Sequence, residues 1–425
     1  MKIRFIFPNI PGYMEDLKII AEGEPGNYEG DYRLQTLGIP SVIAITPEDI
    51  ECTFIDAQME DVPYDHEADL VAISIYTPNA QQGFIIADKY RDIGVPVVMG
   101  GKHPTIMPEN AKEHCDSVII GEAENEVWNA FLDDFIKGGI QNCKPFYHPP
   151  KKSFSMKDLK PPRRDVWDKY SKKYSWFMPP LQISKGCYMA CDMCTVPASE
   201  ERPIRIKPIE LVKKEIEMID SDYIYIVDDN LLASNFKKKY LKELVAMLKA
   251  NNKKVMLSVT PYFLGKRIEI LEMFKDVGDE FYYIWNCFSG KFQKDVCALE
   301  DHELKNYELS KKIHDFGVSI FGSMFVGYDW HNKDIFERVV EFALNSEFDS
   351  CEFTIATPYP GTPMWFQMLE EDRIITRNWD KFNSGNCVFK PKNMTKDELE
   401  TGWKYCWTEY WKNTKKNHLY EKFGS

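Results

Sequence analysis

No stretch of eighteen consecutive apolar residues occurs in the 425-residue chain, which excludes a membrane-spanning helix on hydropathy grounds. The opening "MKIRFIFPNIPG" also lacks the long apolar segment and small-residue cleavage site of a secretory signal, so a cytoplasmic protein is expected. Positive charge is in deficit. Lys and Arg total 53 against 66 Asp and Glu, a formal net charge of -13, and binding to a nucleic-acid backbone is not expected. No repeat at fixed period and no low-complexity tract appears, which argues against a solenoid. Histidine is scarce at eight residues, whereas the cysteines number eleven. In a reducing compartment such thiols persist as core residues or metal ligands rather than as disulfides.

The length exceeds a comfortable single core, so two domains plus an extension are expected. Residues 1–145 read as alternating strand and helix: "KIRFIF", "ECTFIDA", "DLVAISIY", "VPVVMGG" and "CDSVIIGEAE" are apolar strands, and "QQGFIIADKYRDIG" has helical spacing with a glycine stop. Near-continuous apolar strands imply a parallel sheet covered on both faces, a Rossmann-like α/β domain. Ligands of such sheets sit beyond the strands' carboxyl ends, here the loops "PNIPG", "YTPN", "GGKHPT" and "GEAE". Residues 146–180, rich in proline, lysine and aromatics, read as an ordered linker or strap. A second alternating series over 181–370 contains five or six strand–helix units, which implies a full or partial TIM-like β/α barrel. The helical C-terminal extension, 371–425, carries a capping box at Thr395 and Glu398 and one apolar face of Leu399, Trp403, Cys406, Trp407 and Tyr410.

The first strand of that second series runs into "KGCYMACDMC", which spaces Cys187, Cys191 and Cys194 as C-x3-C-x2-C. Thiolates are soft ligands for zinc or iron–sulfur centres, and one short loop can wrap a single centre. Four-cysteine zinc sites usually come as two separated pairs. Here three ligands share one loop, and the nearest downstream cysteine, Cys287, is far away. A cubane cluster held by three thiolates leaves one iron open to an outside ligand. A zinc site completed by a distant residue and plain buried cysteines are the alternatives.

This loop resembles the signature of the radical S-adenosylmethionine (SAM) superfamily, with Met193 where an aromatic commonly precedes the last cysteine. The resemblance implies a [4Fe-4S] cluster whose open iron is chelated by the amino and carboxylate groups of SAM. Reductive cleavage of the sulfonium then yields a 5′-deoxyadenosyl radical. "VVMGGKHPTIMPENA" and "VIIGEAENEVW" resemble the N-terminal cobalamin-binding domain of the subclass that includes a magnesium-protoporphyrin ester cyclase, hopanoid-modifying enzymes and many carbon methyltransferases. "FVGYDWHNKDIFERVVEFA", "TPYPGTPMW" and "EEDRIITRNWDKF" resemble its later barrel and C-terminal region. A cobalamin pocket is thereby implied around Thr77, Gly100, Gly101, His103, Thr105, Gly121 and Glu122. Taken alone, the double glycine fits a turn with positive φ and His103 fits a loop histidine held by backbone hydrogen bonds. The N-terminal section has no D-x-H-x-x-G string, so no histidine is expected on the cobalt.

In the barrel, Asp228 and Asp229 of "VDDN" suit magnesium, orientation of the cluster loop, or positioning of SAM or substrate. The glycine–glycine–glutamate segment common in the superfamily is missing, so the SAM amino group depends on backbone carbonyls or another side chain. Where the subclass often places an acid near the SAM ribose, "YYIWNCFSG" offers Asn286 and Ser289. Cys287 reads as a core residue or a hydrogen-atom donor. Around the rigid turn "TPYPGTP", Thr357, Tyr359 and Arg373 are candidates for chemistry, whereas Trp379 reads as packing. The resemblance implies a cobalamin-dependent C-methyltransferase acting on an unactivated carbon of a small molecule, lipid or peptide. Its external electron donor is expected to resemble flavodoxin or ferredoxin. A cyclase or carbon–carbon bond-forming enzyme of the same architecture, and a metal-stabilised binding protein, are the alternatives.

Overall fold

The computed structural model describes residues 1–11, 36–150, 154–173, 178–189, 191–199, 204–231, 236–260, 267–285 and 299–414, the backbone alone at 280–285 and 299–306. Its first sheet contains β1 (Lys2–Phe7), β2 (Glu51–Asp56), β3 (Leu70–Ser74), β4 (Val97–Gly100), β5 (Ser117–Ile119) and β6 (Phe146–Tyr147). All are parallel, in the order β2-β1-β3-β4-β5-β6. The order reverses between β1 and β3, and such a switch point opens a crevice beyond the carboxyl ends. The short β6 was not anticipated and carries the sheet past the expected boundary at 145.

The near-continuous apolar strands are explained by burial on both sides. Along β1, Ile3, Phe5 and Phe7 join one core with Ile39 and Ile43 of the helix Gly38–Ile45 and with Trp128, Phe131 and Phe135 of the helix Trp128–Gly138. Ile6 faces the opposite core with Phe84 and Tyr90 of the helix Ala80–Asp92. Alternate side chains point to opposite faces of a strand, so each face needs its own helical layer.

The second sheet starts at β7 (Pro180–Leu181) and is followed by a small antiparallel pair, β8 (Ser184–Lys185) with β9 (Arg205–Ile206). The sheet then continues through β10 (Tyr223–Ile226), β11 (Lys254–Val259), β12 (Gly278–Trp285), β13 (Ser319–Val326) and β14 (Ser350–Ile355). These six strands are parallel and lie in chain order, the pattern of a partial β/α barrel. The three cysteines occupy the connection between β8 and β9, just beyond the end of the first barrel strand.

The described part of the aromatic strap is anchored to both units. Trp167 and Tyr170 are buried in the first domain's core, and the Tyr170 hydroxyl accepts from Asp56 N–H at 3.0 Å. Arg164 instead donates to Pro180 O at 2.9 Å and Glu215 Oε2 at 3.1 Å in the barrel. The final helix, Lys396–Asn413, has the expected capping box, with Thr395 Oγ1 accepting from Glu398 N–H at 3.2 Å and Glu398 accepting from Thr395 N–H at 2.8 Å. Its expected apolar face is buried throughout. Trp403 and Trp407 donate to the carbonyl of Phe353 on β14 at 2.7 and 2.9 Å, so the helix covers the sheet's edge strand. No described helix is long and apolar enough to cross a membrane.

Trp403 is fully buried, and truncating such a side chain costs about 3–5 kcal/mol. Trp403→Ala is therefore expected to lower the unfolding free energy, read from denaturant titration, by that amount. A shift below ~1 kcal/mol would show that the tail helix does not support the barrel edge.

Candidate functional site

The cysteine loop is held by the two acids of "VDDN". Asp228, fully buried at the end of β10, accepts from Ile183 N–H at 2.7 Å through Oδ1, and its Oδ2 accepts from the Ser184 hydroxyl. Burial pushes its pKa up to about 6, although these bonds pull the other way. Asp229 accepts from Gly186 N–H, immediately before Cys187, at 2.9 Å. Of the roles open for this pair, orientation of the cluster loop is the one the hydrogen bonds support.

The three thiols are half-buried neighbours. Burial pushes Cys187 up to about 12, with Cys194, Cys191 and Asp229 adding to the rise. Cys194 goes up to about 11 by burial, Cys191 adding and Lys102 opposing. Three mutually repelling thiols in one desolvated place form a donor set suited to a cationic, thiophilic centre, which deprotonates coordinating thiols outright. They therefore fit an iron–sulfur cluster. Among the described residues no group of Cys, His, Asp and Glu is already drawn together into a metal-ion cage. Met193, at the position of the family's aromatic, is buried and its sulfur accepts from the Tyr328 hydroxyl at 2.9 Å.

The loop is bound directly to the first domain. Lys185 and Arg205 are paired across β8 and β9, and both reach Glu122 in the loop after β5. Arg205 Nη1 donates to Glu122 Oε2 at 2.9 Å and its Nη2 to Oε1, while Lys185 Nζ lies 3.5 Å from Glu122 and 3.4 Å from Glu124. Burial alone would raise the Glu122 pKa, yet Lys185 and Arg205 outweigh it and hold the carboxylate below its usual range. Glu122, expected as a cobalamin contact, turns its carboxylate to these two cations and so ties the first domain to the cysteine hairpin.

The other expected cobalamin residues do gather at one edge, bonded mainly to each other. Thr105 Oγ1 donates to Gly101 O at 2.8 Å and accepts from Gly121 N–H at 2.9 Å, joining the loops after β4 and β5. Gly101 has φ +104°, and a Cβ there would stand 2.6 Å from Ile75 O, so the strand neighbour already demands glycine. Gly100 beside it faces Ile119 of β5. His103 is fully buried and bonded by side chains, not by the backbone contacts expected for its ring. Its Nδ1 is 3.2 Å from Thr77 Oγ1 and its Nε2 3.2 Å from Asn110 Oδ1. Asn110 Oδ1 also accepts from Trp379 Nε1 at 3.0 Å. An amide oxygen only accepts, so Nε2 carries the ring proton and Nδ1 accepts from Thr77. Both nitrogens are engaged, in keeping with a histidine that does not ligate cobalt.

Two further segments close the junction. At Gly361 of the "TPYPGTP" turn, a Cβ would lie 2.5 Å from Ile106 of the first domain and 3.4 Å from Ala198 beyond the cysteine loop. Residues 379–384 bridge both units. Asp380 accepts from Gln82 at 2.8 Å, Asn383 donates to Pro11 O at 3.3 Å, and Ser384 O accepts from Ile355 N–H of β14 at 2.7 Å. The Tyr359 hydroxyl is 3.0 Å from Ser384 Oγ, and Thr357 is buried against its own strand end. Arg373, a candidate for chemistry, is engaged on all sides by protein groups. Its guanidinium donates to Asp329 at 2.9 and 2.5 Å, to Glu371 at 2.7 Å and to Lys390 O at 2.6 Å. Asn286, Cys287 and Ser289 lie outside the described residues. Lys185, Arg205, Asn110 and Ser384 were not singled out from sequence, because isolated polar residues in short segments carry no pattern.

Desolvation holds His103 down to about 4, the Asn110 hydrogen bond opposing it only in part. A folded-state pKa below the unfolded 6.5 means the unfolded chain binds the extra proton first. Stability then falls as pH drops from 6.5 to 4, by about 3 kcal/mol from this residue, with His331, held down to about 3 by burial, adding in the same direction. His103→Gln is expected to flatten that acid limb, and an unchanged slope contradicts the assignment. Glu122→Gln removes the carboxylate that Arg205 and Lys185 share, leaving Lys185 beside Glu124. It is expected to cost about 3–5 kcal/mol and to lower the iron retained after anaerobic reconstitution; unchanged unfolding and iron content would contradict the clamp.

Comparison with known proteins agrees with this geometry. Residues 29–129 match the B12 binding domain. The chain is 28% identical to bacteriochlorophyllide d C-12(1)-methyltransferase of Chlorobaculum tepidum over 85% of this chain and 79% of that protein. It is 26% identical to the C-8(2)-methyltransferase of the same organism over 82% and 79%. Its fold matches that of the radical S-adenosylmethionine methyltransferase TsrM from Kitasatospora setae, solved with cobalamin and a [4Fe-4S] cluster, with a TM-score of 0.65, 14% identity and coverage of 95% of this chain and 85% of that one. A B12 binding domain joined to a cysteine-bearing partial barrel is thus what this chain shares with these methyltransferases and with the fold of the cobalamin-binding radical SAM enzyme.

Proposed function

We propose that the chain is a cobalamin-dependent radical SAM C-methyltransferase whose substrate is a small molecule held between the carboxyl edges of the two sheets. The observation that carries this reading is the clamp of Glu122 on Lys185 and Arg205, which fixes the B12 binding domain against the hairpin bearing the three cysteines. Cys187, Cys191 and Cys194 would hold the cluster, and the loops after β3, β4 and β5 would face cobalamin. Bound there, the cluster supplies the electron that cleaves SAM, and cobalamin supplies a transferable methyl group.

The protein's own part is positioning. Asp228 and Asp229 set the loop that presents the thiols, and Thr105 ties the two first-domain loops into one surface. The bridge at 379–384 and the turn at Gly361 close the space between the units, which keeps water from a reactive radical. Two relatives are named for methylating bacteriochlorophyllide d, which supports a small-molecule substrate. A one-electron donor such as flavodoxin or ferredoxin would serve it, in the cytoplasm where thiols stay reduced. The proposed division is a cobalamin domain to about residue 145, a strap to 180, a barrel to 370 and a tail.

Anaerobically reconstituted protein is expected to retain about four irons per chain, to release 5′-deoxyadenosine on reduction with SAM, and to move label from methyl-labelled SAM onto an accepted substrate. Cys191→Ala should abolish both products. Release of 5′-deoxyadenosine without label transfer favours a cyclase or bond-forming enzyme. One zinc and no iron would remove the radical reading.

A further inference from the structure

Polar groups at the carboxyl edge of the first sheet are unequally satisfied on its two sides. On the side of Phe84, Thr77, His103, Thr105 and Asn110 are all bonded within the protein. On the other side, Thr36 and Asn125 are only 3% and 5% exposed, yet Thr36 Oγ1 and Asn125 Nδ2 have no hydrogen-bond partner. A buried donor left unpaired costs more than a formed hydrogen bond usually gains, so native proteins seldom keep one without a use.

Both residues lie at the starts of segments that cover the same face of the sheet. Thr36 leads into the helix Gly38–Ile45, which carries the chain from β1 to the parallel β2, so the start of that helix stands at the strands' carboxyl ends. Asn125 lies in the turn Ala123–Val127, which leaves β5 and enters the helix Trp128–Gly138. That turn packs against the helix Gly38–Ile45, and both helices contribute to one core. The backbone at the turn is unusual: Glu126 adopts φ +64°, and Asn125 is pulled out of helical geometry at φ -80°, ψ +55°. Strain at non-glycine residues persists where the surroundings impose it, often at ligand sites. The helix Gly38–Ile45 has no side-chain cap and no acid in its first turn; beside Asn125, Glu124 is turned to Lys185 and Glu126 is exposed. A hydroxyl and an amide NH2 are both able to donate, and their common complement is an oxygen acceptor.

We propose that Thr36 and Asn125 donate hydrogen bonds to oxygen atoms on the periphery of cobalamin, either the amide carbonyls of the corrin side arms or the phosphate of the nucleotide loop. This assignment rests on the cobalamin reading above and adds the residues that grip the cofactor on this side of the sheet.

The test uses the full-length, cluster-reconstituted protein, titrated anaerobically with hydroxocobalamin and, separately, with cobinamide, which lacks the nucleotide loop. Thr36→Val and Asn125→Leu keep shape while removing the donor. Each is expected to weaken hydroxocobalamin binding about tenfold, the loss of one hydrogen bond to a buried partner, while the cofactor-free protein melts at the same temperature or higher because an unsatisfied buried group has gone. A structural role would instead lower the melting temperature and leave affinity unchanged, and that result overturns the proposal. Thr36→Val, the closer isostere, decides the matter if Asn125→Leu does not fold. A penalty that persists with cobinamide assigns the contact to corrin amides; a penalty seen only with hydroxocobalamin assigns it to the nucleotide loop. Wild-type protein that binds neither compound removes the cobalamin reading itself, whereas wild-type binding with unaltered variant affinities removes only this inference.

Discussion

Glu122 is the acid that meets both cations of the cysteine hairpin, and through it the two halves of the molecule are registered. Its carboxylate sits where the first sheet ends and meets Arg205 and Lys185, the two cations that flank the cysteine loop on its short hairpin. A buried ion pair gains little net stability, because desolvating the charges offsets much of their attraction. It is directional, however, and breaking it strands charges in a low-dielectric place. That makes it better suited to fixing the position of one domain on another than to adding stability. Apolar contact, as at Gly361 against Ile106 and Ala198, supplies close approach, and the ion pair supplies the register.

Around this contact the polar residues of both units mostly hold loops rather than perform chemistry. Asp228 and Asp229 bind backbone N–H groups of the cysteine loop. Thr105 joins two loops of the first domain, and His103 is locked as a neutral ring between Thr77 and Asn110. Such an arrangement suits an enzyme whose reactive steps belong to cofactors, since the remaining requirement is geometry: two cofactor surfaces must face each other at a fixed separation. The bridge from Trp379 to Ser384 contributes to the same end by bonding to the first sheet and to the last barrel strand.

Much of the fold was legible because it rests on local periodicity. Apolar runs of strand length alternate with helical spacing, and the tail helix announces itself by a capping box and an apolar face, all of which are found in place. The partners that the chain did not reveal have a common cause. Glu122 and Arg205 are 83 residues apart, and Arg373 and Asp329 are 44 apart. A loop glutamate or a tail arginine looks available for a ligand until its distant counter-charge is known. The strap's aromatic content pointed to contacts with the protein, but its anchors, Asp56 on one unit and Glu215 on the other, follow no pattern in the chain.

By itself the sequence determined the cysteine spacing, the strand and helix content of both units, and the soft, all-thiol donor set, because each depends on residues within a few positions of one another. Only the tertiary structure decided which carboxylates hold the protein together, which ring nitrogens of His103 are occupied, and that Thr36 and Asn125 are buried without partners. Those properties depend on burial and on which strand lies beside which, and the reversal of strand order at β1 brings together groups that the linear chain keeps far apart.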